Sequence, residues 1–105
     1  MDTRILPEPL EFEWDKGNSN KSWQKHKISL QEAEQVFESE RFIILDDISH
    51  SLFENRKLII GPSSSGKLLS AIFTIRRHRV RIISVRPSAR KERKIYEESF
   101  KGSKI

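Results

Sequence analysis

The chain has no cysteine, one methionine, four glycines and four prolines among its 105 residues. Without thiols it can form no disulfide, no zinc thiolate site and no cysteine nucleophile, a composition that suits a reducing compartment. Long apolar runs are missing as well, since nothing approaches the roughly 20 residues of a membrane span. The acidic opening MDTRILPEPLEFE lacks the pattern of a signal peptide. A cytoplasmic, water-soluble protein is therefore expected. Acids are the last scarcity. Residues 55–105 hold 3 Asp/Glu against 14 Lys/Arg, or +11, whereas residues 1–54 hold 12 against 6, or −6, which together make the net +5. From Arg76 to Lys94 there are nine basic side chains and one acid, Glu92. That split points to a polyanion, or an acidic protein segment, as partner of the second half.

What is present is concentrated in KLLSAIFTIRRHRVRIISVR, residues 67–86. Two β-branched, apolar runs flank a short basic interruption, the pattern of an antiparallel hairpin. With Arg77-His78 as a two-residue turn, Arg76 pairs with Arg79. Leu69, Ala71, Phe73, Ile75, Val80 and Ile82 then share one face, and Thr74, Arg76, Arg79 and Arg81 the other. The result is a sheet with one oily and one cationic side.

The length allows one domain with a modest core, placed at residues 10–100 between a loose lead-in, 1–9, and a frayed tail, 101–105. Leu10, Phe12 and Trp14 alternate with glutamates as a short strand. Asp15 is placed to cap a helix running to about Lys25. Ser29 and Glu32 form a capping box, Ile28 can staple onto Ala33, and Leu30, Ala33, Val36 and Phe37 make one apolar stripe. Strands follow at Phe42–Leu45 and Glu54–Ile60, then GPSSSG turns into the hairpin. Pro87 ends the last strand, and Ser88 is placed to cap a final helix from Ala89 to about Phe100, with Ala89, Arg93, Tyr96 and Phe100 on one face. The order is β-α-α-β-β-β-β-α, an α+β domain with a twisted antiparallel sheet and helices packed on it.

GPSSSGK supplies the spacing of a phosphate loop, but Leu68 stands where a magnesium-binding hydroxyl is needed, and a strand follows where a helix should. It reads as a hairpin turn. His26, His50 and His78 have no ligand spacing and no paired carboxylates, so neither a metal nor another cofactor is expected. Lys25-His26 at a helix end also fits simple complementation of the helix dipole. Metal-free RNA cleavage needs a base for the ribose 2′-hydroxyl, an acid for the leaving 5′-oxygen, and cations for the phosphorane. Glu54 and His26 are candidate proton carriers, and the arginines are candidate clamps.

Taken together, FEWDKGNSNKSWQKHKISLQEAEQVF, the later His50-Ser51 followed by Glu54 and Arg56, and VRIISVRPSARKERKIYEE resemble the BrnT toxin family over about residues 12–98. The resemblance implies a fold like the RelE-type ribonucleases and a small toxin that halts translation by cutting RNA. It also implies a cognate, BrnA-like antitoxin with a ribbon-helix-helix part, and contact with promoter DNA only through the toxin–antitoxin complex. Carried onto this chain, the family's site falls on Lys25 and His26, Glu54 and Arg56, and the strand arginines Arg76, Arg81 and Arg86. His26, Glu54 and Arg86 are the catalytic candidates, and Lys25, Arg56, Arg76, Arg79 and Arg81 the substrate-binding ones. Which of His26 and Glu54 is the base stays open. Ser22 and Lys27 stand where the family often has Asn and Gly. The alternatives are a non-catalytic nucleic-acid-binding module, against which the hairpin offers only Phe73 for stacking, and a protein-interaction module that docks an acidic partner on its basic face.

Overall fold

A computed structural model describes residues 5–19, 26–46 and 55–101. The helix α1 spans Leu30–Glu38, and the box foreseen at its start is present. The Ser29 hydroxyl accepts from the Glu32 N–H at 3.0 Å, and the Glu32 carboxylate accepts from the Ser29 N–H at 3.3 Å. Ala33, Val36 and Phe37 bury one face of α1, with Ile28 buried just before it. Glu40, with φ of 60°, turns the chain away.

Four strands follow, β1 (Ile43–Asp46), β2 (Lys57–Pro62), β3 (Leu68–Arg76) and β4 (Arg79–Pro87). They form one antiparallel meander in sequence order. The short links after β2 and β3 favour pairing of each with the next strand. Two strands were expected at slightly different bounds, Phe42–Leu45 and Glu54–Ile60; Phe42 is instead a buried residue ahead of β1, and Glu54 lies outside the described residues. Ile59, Leu69, Ala71, Phe73, Val80, Ile82 and Val85 form the core with α1. Phe37 stacks edge-on to both Phe12 and Phe73. Gly61 lies where α1 comes closest: a Cβ there would stand 3.0 Å from Phe42 Cβ and 3.2 Å from Val36 Cγ1.

The β3–β4 hairpin has the expected register, Arg76 opposite Arg79. Both turn residues lie in the left-handed region, Arg77 at φ 52° and His78 at φ 66°, as a two-residue hairpin turn matching strand twist requires. Ile75 belongs to the core face by register but is 37% exposed near that turn. The ladder shifts once: Phe73 faces Ile82 but Ile72 faces Ser84, so Ile83 is an extra residue in β4. GPSSSGK is a hairpin connection, with Gly66 at φ 87° and β3 starting at Leu68.

The expected strand over Leu10–Trp14 is a single parallel bridge, Phe12 to Val80. Glu13 N–H donates to the Val80 carbonyl and Val80 N–H to the Glu11 carbonyl. The next acceptor along that edge, the Ile82 carbonyl, is taken at 2.9 Å by the Asn18 amide, so no second backbone rung forms. Lys16–Asn18 is a turn and Ser19 a bend, so the helix expected from Asp15 does not begin there; residues 20–25 lie outside the described residues, and His26 is helical.

The last helix, α2, spans Arg90–Lys101. Ser88 does not cap it: its hydroxyl turns inward to Ser70 at 2.7 Å, and Glu92 instead accepts from the Ala89 N–H at 2.8 Å. The half-buried residues are Glu92, Tyr96 and Phe100, whereas Ala89 and Arg93 are exposed. Through Glu92 and Ser88, α2 is tied to Ser70, on the face of the sheet away from α1. No helix among the described residues is long and apolar enough to cross a membrane.

Candidate functional site, a cationic sheet face

Alternation along the β3–β4 hairpin places Ser70, Thr74 and Arg76 of β3 and Arg79, Arg81 and Arg86 of β4 on the face away from α1. The extra residue Ile83 is what brings Arg86 there. Strict alternation would have put Arg86 with Val80 and Ile82 in the core; the bulge exchanges it for Val85, which is buried. Arg76 and Arg79 sit across from each other at the turn end. Arg86 faces Ser70, six residues down β3, or about 20 Å along the strand. The turn-end arginines and Arg86 therefore lie too far apart to hold one phosphate.

Each arginine has a distinct environment. Arg79 is well exposed and lies 3.9 Å from Glu11. Arg81 is 14% exposed and forks onto Asp15, with Nη1 to Oδ2 at 2.8 Å and Nη2 to Oδ1 at 3.1 Å, and with Glu13 at 3.6 Å. That fork, followed by the Gly17 N–H, holds the Asp15 carboxyl below its usual range. Arg86 forks onto Glu92 with both bonds at 2.7 Å. The Arg86 fork is the largest influence drawing the Glu92 carboxyl down to about 2, aided by the Ala89 N–H and the Ser70 hydroxyl. In turn, Glu92 raises Arg86, which stays cationic at any biological pH.

The other expected residues divide in two. His26 is half-buried and precedes Lys27, whose φ of 56° ends that stretch ahead of Ile28. Arg56 is half-buried one residue before β2, next to Asn55, whose carbonyl accepts from Thr74 Oγ1 at 3.1 Å. Lys25 and Glu54 lie outside the described residues. Among the described residues no three His, Asp or Glu side chains converge as a metal site would need.

Sequence reasoning did not find the carboxylates that seat these arginines. Asp15 is 66 positions from Arg81, and no local signal connects them. Glu92 carried one signal: it is the lone acid of its stretch and stands three residues after Ala89, where a carboxylate reaches back to a helix's first N–H.

The molecule is thus an α+β protein whose antiparallel meander carries arginines along one face, each strand arginine of β4 set beside a carboxylate. The chain belongs to the family described as the ribonuclease toxin, BrnT, of type II toxin–antitoxin systems, whose model matches residues 14–92. A search of curated proteins returned no match. Membership makes this chain a ribonuclease toxin by family and implies an antitoxin partner.

Proposed function

We propose that the chain is a metal-independent endoribonuclease toxin of RelE-like build that cuts RNA in the cytoplasm by attack of the 2′-hydroxyl, and so inhibits translation. The family match over residues 14–92 carries this reading. One of His26 and Glu54 takes the 2′-hydroxyl proton as O2′ bonds to phosphorus. The other protonates the 5′-oxygen as its bond to phosphorus breaks, leaving a 2′,3′-cyclic phosphate and a free 5′-hydroxyl. Arg86 stabilises the charge gathered on the phosphorane oxygens. Lys25, Arg56, Arg76, Arg79 and Arg81 track the flanking backbone, with Arg81 acting through its charge because its side chain is only 14% exposed and already set between Asp15 and Glu13. A ribbon-helix-helix antitoxin neutralises the toxin by covering this face, and promoter DNA is reached only through that complex.

The test is cleavage of single-stranded RNA by purified protein in EDTA. Wild type should yield cyclic-phosphate ends, and His26→Ala, Glu54→Ala and Arg86→Ala should each lose about 10²-fold or more while remaining folded by circular dichroism. Intact RNA at high wild-type concentration would favour the second reading, a non-catalytic basic module. The observation on that side is that the Arg81 and Arg86 forks are already occupied by carboxylates.

A further inference from the structure

Glu92 is held by more contacts than an ion pair on a solvated helix requires. Its carboxylate accepts from Arg86 Nη1 and Nη2 at 2.7 Å each, from Ser70 Oγ at 2.9 Å and from the Ala89 N–H at 2.8 Å. Ser88 Oγ backs the Ser70 hydroxyl at 2.7 Å. The Glu92 side chain is 14% exposed, so β3, β4 and the start of α2 converge on one half-buried anion.

The way it takes the guanidinium matters more. One hydrogen from each Nη goes to Glu92, which is the end-on pair of the fork. Nη1 directs its second hydrogen at the Pro87 carbonyl, 3.4 Å away. Nε–H and the outer Nη2 hydrogen, the side-on pair, have no acceptor among the described residues, on a side chain that is 43% exposed. A side-on pair receives two phosphate oxygens in the same planar geometry that an end-on pair offers a carboxylate.

We propose that Glu92 is a positioning residue, gripping Arg86 end-on from α2 so that its side-on pair is fixed to receive the scissile phosphodiester. This rests on the reading of Arg86 as the group at the reaction centre. A loose arginine would have to be ordered by the substrate at each turnover; one held beforehand meets the transition state already oriented.

Glu92 also caps α2, so the test must separate gripping from capping. Glu92→Gln keeps an amide oxygen for Ser70 and Ala89 but removes the charged fork. With single-stranded RNA, Glu92→Gln should lower kcat about 10-fold or more with KM changed less than about threefold, as expected when orientation rather than binding is lost. In an Arg86→Ala background the same change should have no further effect, because the two residues act as a unit. Glu92→Gln at the wild-type rate beside an inactive Arg86→Ala would overturn the positioning role and leave Arg86 in place. An equal loss in both backgrounds would overturn it too, assigning Glu92 to capping alone. Arg86→Ala at the wild-type rate would remove Arg86 itself from the reaction centre, and Glu92 with it. If Glu92→Gln does not fold, Ser70→Ala decides. That change removes one of the three hydrogen bonds to Glu92 Oε1 while keeping its charge and cap, and should lower kcat a few-fold in the wild-type background only. An unchanged kcat there would overturn the proposal.

Discussion

Phe73 has no exposed surface, and its ring centre lies 5.1 Å from that of Phe37, edge to face. Truncation leaves a cavity that α1 and the sheet close only in part, so Phe73→Ala should cost about 3–5 kcal/mol in denaturant unfolding. Glu92 is as well placed, but its contribution depends on pH. Its folded-state value near 2 lies below the ordinary 4.5 of a free glutamate, so the ionised carboxylate stabilises the fold. That stabilisation is complete above about pH 4.5 and is lost as the pH falls toward 2. Because Arg86 is 43% exposed, solvent screening reduces the effect to about 1–2 kcal/mol. Glu92→Gln should accordingly flatten the decline of melting temperature between pH 4.5 and pH 2, and an unaltered decline would show that the pair contributes little.

At the scale of elements, the β3–β4 hairpin pairs apolar strands on a turn of unfavourable chemistry. Arg77 and His78 both hold positive φ without glycine or asparagine. A left-handed residue with a Cβ costs roughly 1–2 kcal/mol relative to its right-handed form, and glycine is free of that penalty. His78→Gly should therefore stabilise the protein by about 0.5–1 kcal/mol in thermal or denaturant unfolding, with the hairpin register retained. Destabilisation would mean that the imidazole makes a contribution larger than its backbone cost. The opposite end of the sheet depends on Gly61, where a methyl group would press on Phe42 and Val36 and separate α1 from β2.

For the whole molecule, the −6 and +11 halves are folded against each other only in part. Glu11, Glu13 and Asp15 run beside β4 and face Arg79 and Arg81, while the basic residues at the start of α2, Arg90, Lys91, Arg93 and Lys94, stay exposed. An antitoxin that covers the cationic face should supply acidic and apolar residues, since burying arginines unpaired is prohibitive. The complex should then cut RNA far more slowly than the free toxin, and raising salt should weaken toxin–RNA binding with a log–log slope of about −2 to −3 for three or four phosphates on a single strand. Equal cleavage rates for complex and free toxin would show that neutralisation does not act by covering this face.

Much of the fold was legible because its signals are local. The Ser29–Glu32 box, the stripe of α1, the Arg76–Arg79 register and the refusal of GPSSSGK as a phosphate loop all depend on neighbours within a turn of helix or a pair of strands. A cationic face followed from alternation over a few residues of β3 and β4. Its extent did not. Alternation continued past Ile82 would bury Arg86; packing places Val85 in the core instead, and the extra residue Ile83 carries Arg86 across to join Arg79 and Arg81. Likewise the carboxylates on Arg81 and Arg86 are chosen by tertiary packing: Asp15 reaches Arg81 because the Glu11–Glu13 segment docks on Val80, and Glu92 reaches Arg86 because α2 starts above Ser70. Periodicity and capping are near-neighbour effects and can be read along a chain, whereas a bulge and a distant counter-ion are decided by which arrangement fills the core and leaves no charge buried alone.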